Sequence, residues 1–172
     1  MGTRRVGLAR VEALIENLKR DLALGAGTVI HGYRKKIESI TANQTLTAAD
    51  SGKIFMVNPA ATTAVTLPSM GETAKAGWHC TIVLTEDTTP TDTGMNAIVN
   101  IDFGSGETVI GMTVAADGDA GDYSVNNDDF VNCSVDASPG DKFDIVSDGE
   151  NWYVWGIVND GSTVPFAATA AS

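Results

Sequence analysis

The feature that most restricts what this chain can fold into is a strict succession of short period-two apolar segments and turn clusters. It runs from about residue 40 to residue 158. Residues 53–57 (KIFMV), 64–67 (AVTL), 78–84 (WHCTIVL), 97–101 (AIVNI), 108–112 (TVIGM), 130–135 (FVNCSV), 142–147 (KFDIVS) and 152–158 (WYVWGIV) are rich in β-branched and aromatic residues. Such side chains suit a pleated, half-buried surface. Turn formers separate them, at residues 49–52, 58–59, 68–71, 88–94, 104–106, 117–121, 138–140 and 147–149. A further strand is expected near residues 40–46. No second helical pattern interrupts the series, so a parallel sheet covered by helices is excluded. The pattern predicts a mainly β fold: an antiparallel β-sandwich of jelly-roll type, or a barrel, over residues 39–160. Alternation assigns faces, with Trp78, Cys80, Ile82 and Leu84 on one side and His79, Thr81, Val83 and Thr85 on the other. Val83 among polar neighbours suggests that a subunit contact covers the second face.

The first 38 residues differ in kind. Leu8, Val11, Ile15, Leu18 and Leu22 recur at alternating spacings of three and four, which places them on one helical stripe with the spacing of a heptad seam. Gly25 and Gly27 supply a stop, and residues 28–38 read as a basic connector. A helix of about 18 residues is marginal alone in water, so the stripe must lie on its own domain, on a copy of itself or on a foreign surface. Self-association or docking is the expectation, because charge also sets the segment apart. Residues 1–40 hold eight basic side chains and four acids, a net +4; the rest of the chain holds Lys53, Lys75 and Lys142 against 18 acids, a net −15. A body so acidic is unsuited to wrapping nucleic acid. The basic segment is better matched to an acidic protein surface, with Arg4, Arg5 and Arg10 steering the approach. Residues 161–172 (GSTVPFAATAAS) are expected to be a flexible tail or an arm along a neighbour.

No signal-peptide pattern opens the chain and no run of about 18 apolar residues occurs, so neither export nor a membrane span is expected. Cys80 and Cys133 sit inside strand-like segments and read as buried thiols. His31 lies in the connector and His79 on a strand, with no nucleophile elbow beside either. The glycines at 104–106 precede a strand and not a helix, so they make no phosphate loop. The acidic stretch 117–129 lacks the register of a helical calcium loop and reads as a solvated turn. No catalytic residue, metal ligand or cofactor is predicted.

Two stretches resemble a known group. Residues 40–68 (ITANQTLTAADSGKIFMVNPAATTAVTLP) are similar to a module of tailed-bacteriophage virion proteins, notably of marine and cyanobacterial hosts, with the pattern T-L-T-x-x-D-S-G-K-x-F and a strand ending in T-L-P. Residues 148–154 (DGENWYV) resemble the DGxxW hairpin near the C-termini of the same proteins, in which Asp-Gly makes the turn and Trp packs on the sheet. The resemblance implies a virion structural protein, assembled in the bacterial cytoplasm and usually homotrimeric. On this reading the chain is a capsid decoration or head-fibre protein, docked on the major capsid protein or another virion protein through Leu8, Val11, Ile15, Leu18 and Leu22. The alternatives are a tail-fibre or receptor-binding protein and, in another class, a carbohydrate-binding module, which an exposed aromatic row would favour.

Overall fold

Extended segments form where β-branched and aromatic residues alternate with small polar ones, and glycines close the turns between them. The computed structural model describes residues 7, 10–13, 34–58, 61–71, 74, 76–85, 98–116, 118, 121–124, 128–134, 137–159 and 166–168. Among the described residues twelve strands follow in chain order: β1 (Ile37–Ile40), β2 (Gln44–Thr45), β3 (Ile54–Val57), β4 (Thr63–Thr66), β5 (His79–Leu84), β6 (Val99–Asp102), β7 (Thr108–Ala115), β8 (Tyr123–Ser124), β9 (Phe130–Cys133), β10 (Lys142–Ser147), β11 (Asn151–Val158) and β12 (Phe166–Ala167). A 3₁₀ turn, Ala48–Asp50, lies between β2 and β3. The strands build a seven-stranded sheet, β1-β3-β5-β10-β11-β7-β8, and a five-stranded sheet, β12-β9-β6-β4-β2.

Both sheets are mixed, which corrects the expectation of an antiparallel, jelly-roll-type sandwich. Strands β1 to β6 alternate between the sheets, and each return lays a strand parallel to its predecessor: β1 with β3, β3 with β5, β2 with β4, and β4 with β6. Strand β11 also pairs parallel with β7. A parallel pair needs a crossover of about a dozen residues or more, usually a helix. Here the crossover runs through a strand of the opposite sheet. The absence of helical segments therefore excluded covering helices without excluding parallel pairing. Among the described residues, antiparallel pairing is confined to β5–β10–β11, β7–β8 and β6–β9–β12.

The two sheets contribute to one core. Phe55, Ile82, Phe143 and Trp152 enter it from the larger sheet, and Val65, Ile101, Val131 and Cys133 from the smaller. Trp78 meets Trp152 edge-on, with ring centroids 5.5 Å apart, and Phe103 lies 6.2 Å from the same indole. Burying a side chain of this size contributes on the order of 1.5–3 kcal/mol. On β5, Cys80, Ile82 and Leu84 are buried as the alternation requires, with Trp78 just ahead of them; His79 is exposed and Val83 half-buried. Thr81 is buried on the outward side, where its hydroxyl donates to Asp144 at 2.7 Å.

Within the stretch expected to be a flexible tail, Phe166–Ala167 pairs with β9 and the Phe166 side chain is buried. One apolar residue among small ones is enough to seat a two-residue strand. The chain divides into two compact units, Met1–Arg34 and Lys35–Ser172. In the first, residues 10–13 are helical, and the Arg10 and Val11 amides donate to the Gly7 carbonyl at 2.9 and 3.3 Å. The remainder of the expected helix lies outside the described residues.

Candidate partner-binding surfaces

Of the predicted docking residues, Arg10 and Val11 are described, and both are exposed. Arg4, Arg5, Leu8, Ile15, Leu18 and Leu22 lie outside the described residues, so the seam is visible at one position only.

The body carries a second candidate surface, which the sequence reading did not single out. The outward positions of β11 are Tyr153, Trp155 and Ile157, and their parallel register sets them beside Ile110, Met112 and Val114 of β7. Tyr123 of β8 stands opposite Met112. Met112, Val114, Tyr123, Trp155 and Ile157 are each 51–71% exposed. Tyr153 and Trp155 lie with rings nearly parallel, 16° apart in plane and 6.4 Å between centroids. A depression of about 290 Å³ among them is lined by Ile110, Gly111, Met112, Tyr123, Ser124, Tyr153 and Trp155. Around it, the Ser124 hydroxyl donates to the Val109 carbonyl at 3.1 Å and the Tyr153 hydroxyl to Asp148 at 3.0 Å. Two of the three hydroxyls around the apolar floor are thus already used within the chain. A signal for this surface existed: β7 and β11 are apolar on both faces, which a strand with one solvated face does not require.

The two stretches that carry the resemblance form tight local structures. In the first, Leu46 is buried, and Asp50 accepts the Thr47 amide and hydroxyl, each at 2.7 Å. Gly52 holds φ +83° and donates its amide to the His79 carbonyl at 2.7 Å. Lys53 reaches both Asp50 and Glu38, the latter at 2.7 Å, and Phe55 is fully buried. In the second, Asp148 accepts the amides of Glu150 at 2.8 Å and Asn151 at 2.7 Å, Gly149 holds φ +98°, and Trp152 enters the core. Leu46, Thr47, Asp50, Gly52, Lys53 and Phe55 of the first stretch, and Asp148, Gly149 and Trp152 of the second, each have a folding task.

Electrostatics agree with that reading. The hydrogen bond from Lys53, with lesser help from Lys36, holds the Glu38 carboxyl below its ordinary range. Burial alone would raise Asp50, but the bonds from Lys53 and Thr47 lower it. Asp50 and then Glu38 raise the Lys53 amine, so it stays protonated and is no nucleophile. At the β10–β11 turn, the Glu150 and Asn151 amides bring Asp148 down to about 2, and Asp148 in turn raises Tyr153. Cys80 and Cys133 are buried and unbridged; burial pushes the Cys80 thiol up to about 12 and raises Cys133 as well. Both are small apolar fillers.

In the acidic stretch, Asp122 accepts the Tyr123 amide at 2.8 Å and the Phe166 amide at 2.9 Å, while Asp129 accepts the Gly106 amide at 3.3 Å. Backbone donors occupy these carboxylate oxygens. Among the described residues no cluster of three His, Cys, Asp or Glu side chains is placed to hold a metal ion, and no helix is long and apolar enough to cross a membrane. His79 is exposed, with Nδ1 3.0 Å from the Gly77 carbonyl. His31 lies outside the described residues. Comparison of the chain with protein-family models, with curated proteins and with solved structures finds no match in any of the three.

Proposed function

We propose that the chain is a non-enzymatic structural component of a tailed-phage virion, a capsid decoration or head-fibre protein that docks through its N-terminal unit and projects its acidic β-body. The observation that carries this reading is the coincidence of two divisions. Met1–Arg34 separates from Lys35–Ser172 as a compact unit. Close to that boundary, at residue 40, eight basic residues and four acids give way to three basic residues and 18 acids. A basic apolar-striped segment on an acidic body is suited to anchoring: the stripe supplies apolar area and Arg4, Arg5 and Arg10 steer it to an acidic shell protein. Burial of four or five stripe residues supplies on the order of 1.5–3 kcal/mol each, less the cost of ordering the segment. Association of three copies, which the resemblance implies, multiplies attachment through avidity.

The test is immunogold labelling of phage particles carrying the protein, with an antibody against residues 41–172, alongside an Ile15→Asp variant. Label over the head that disappears in the variant is expected. Label at the tail transfers the protein to host recognition, and particles without label refute a virion role.

A further inference from the structure

We infer that the outward face of β7, β8 and β11 is a self-association surface, and that its occupant is another copy of this chain. The inference rests on the reading of the chain as a self-associating structural protein and specifies where copies meet.

Three observations select that occupant. The first is area. The exposed fractions of Met112, Val114, Tyr123, Trp155 and Ile157 correspond to roughly 600 Å² of accessible surface. This is the upper end of what a monomer's largest apolar patch spans, and it approaches the ~800 Å² each partner gives to a stable interface.

The second is charge. The body carries a strong negative excess, so two copies repel wherever their carboxylates face each other. Among the described outward positions of β10, β11, β7 and β8 there is one carboxylate, Asp144. It is neutralised by Lys142 at 2.6 Å and accepts a hydrogen bond from Thr81 at 2.7 Å. At the edge of this face Asp148 accepts the Tyr153 hydroxyl together with three donors of its own turn, so a second acidic body can approach the strand positions without burying an uncompensated charge, and a basic partner finds little there to pair with.

Chemistry is the third. Met, Val, Ile, Trp and Tyr on one face form the side-chain set of a subunit interface, depleted of Lys and Glu. A sugar site needs convergent polar groups, and here Ser124 and Tyr153 already donate to Val109 and Asp148. Of the hydroxyls lining the depression, that leaves Tyr123.

The experiment is sedimentation equilibrium of the full-length chain and of two variants, Val114→Asp with Ile157→Asp, and Ile15→Asp. Both face positions are more than half exposed, so the doubly substituted monomer should keep its fold, checked by far-UV circular dichroism and urea unfolding. The proposal expects a wild-type oligomer whose dissociation constant rises at least roughly thirtyfold in the face variant, the scale of a hot-spot loss. Trp155 emission should shift to the red on dilution of the wild type. A mass of two copies places the same face on both sides, and a mass of three seats it on a different surface of the neighbour; both support the proposal. A monomeric wild type overturns it. So does an oligomer dissociated by Ile15→Asp and untouched by the face variant, or a Trp155 emission that responds to oligosaccharides and not to dilution. Because these readouts do not involve particles, failure here is distinguishable from failure of the virion assignment.

Discussion

Asp148 shows how one carboxylate organises a turn and leaves a signature that can be measured. Its oxygens accept the Glu150 and Asn151 amides, the Asn151 side chain and the Tyr153 hydroxyl. Its folded value of about 2 lies below the ordinary carboxylate value. A depressed acid stabilises the fold above its unfolded pKa, and the contribution is lost as pH falls from near 4 through about 2. Tyr153 has the opposite sign: its raised value adds stability below the ordinary phenol range, which is lost as pH rises through the folded value. NMR titration should therefore place the Asp148 midpoint near 2, and Asp148→Ala should bring Tyr153 back down. A Tyr153 midpoint unmoved by that substitution would show that the hydrogen bond is not its cause. The Lys53 group carries a different lesson. A lysine beside two carboxylates can suggest amide formation, but these partners hold the amine protonated, so the group remains an ion pair tying β1 to the turn before β3.

At the scale of elements, β11 divides its aromatic residues between two tasks. Trp152 faces the core against Trp78 and Phe103, while Trp155 faces outward. Trp152→Ala is expected to cost about 3–5 kcal/mol of stability, the range for removing a large core aromatic. Trp155→Ala should change the stability of the isolated body by no more than ~0.5 kcal/mol, as for an ordinary surface substitution. Urea unfolding of both variants checks the contrast; equal losses would mean that the assignment of the two faces is wrong. Strand positions were legible from period-two segments, most of them correct within a few residues. The Asp-Gly turn and its inward Trp were legible as well. Two-residue strands such as β8 and β12 are too short to show a period. Partners were illegible for a deeper reason: alternation reports which way a side chain points but not which strand lies beside it, so 37–40 gave no sign of pairing with 54–57. The exposed apolar face did leave a trace, since alternation sends Trp155 and Trp152 to opposite faces of β11 and both faces of that strand are apolar, but the sequence does not tell which of the two faces the core takes.

For the whole molecule, the two proposed attachments differ in their response to ions. Docking of a basic unit on an acidic partner is attractive and weakens with screening. Contact between copies of a body with excess carboxylates works against repulsion and tightens with screening. Raising salt from about 0.05 to about 0.5 M, which shortens the screening length several-fold, should loosen the first and strengthen the second. Lowering pH toward the sequence pI of 4.3 should also favour contact between copies. Sedimentation and binding assays over the same salt series read both, and a common sign for the two would refute the division of labour between the N-terminal unit and the β7–β8–β11 face.

The winding of β1 to β6 also bears on how such a chain changes length over generations. Each strand in this part finds its neighbour one full circuit later, and the segments joining the sheets need not match in length: 46–53 and 58–62 are short, whereas 67–78 and 85–98 are longer. Residues can be gained or lost in a joining segment without shifting the register of either strand. Lineages descended from such a chain are expected to diverge by insertions between circuits while the paired segments stay constant in length. The longest of these joints, 85–98, is the natural place to graft a foreign peptide for display.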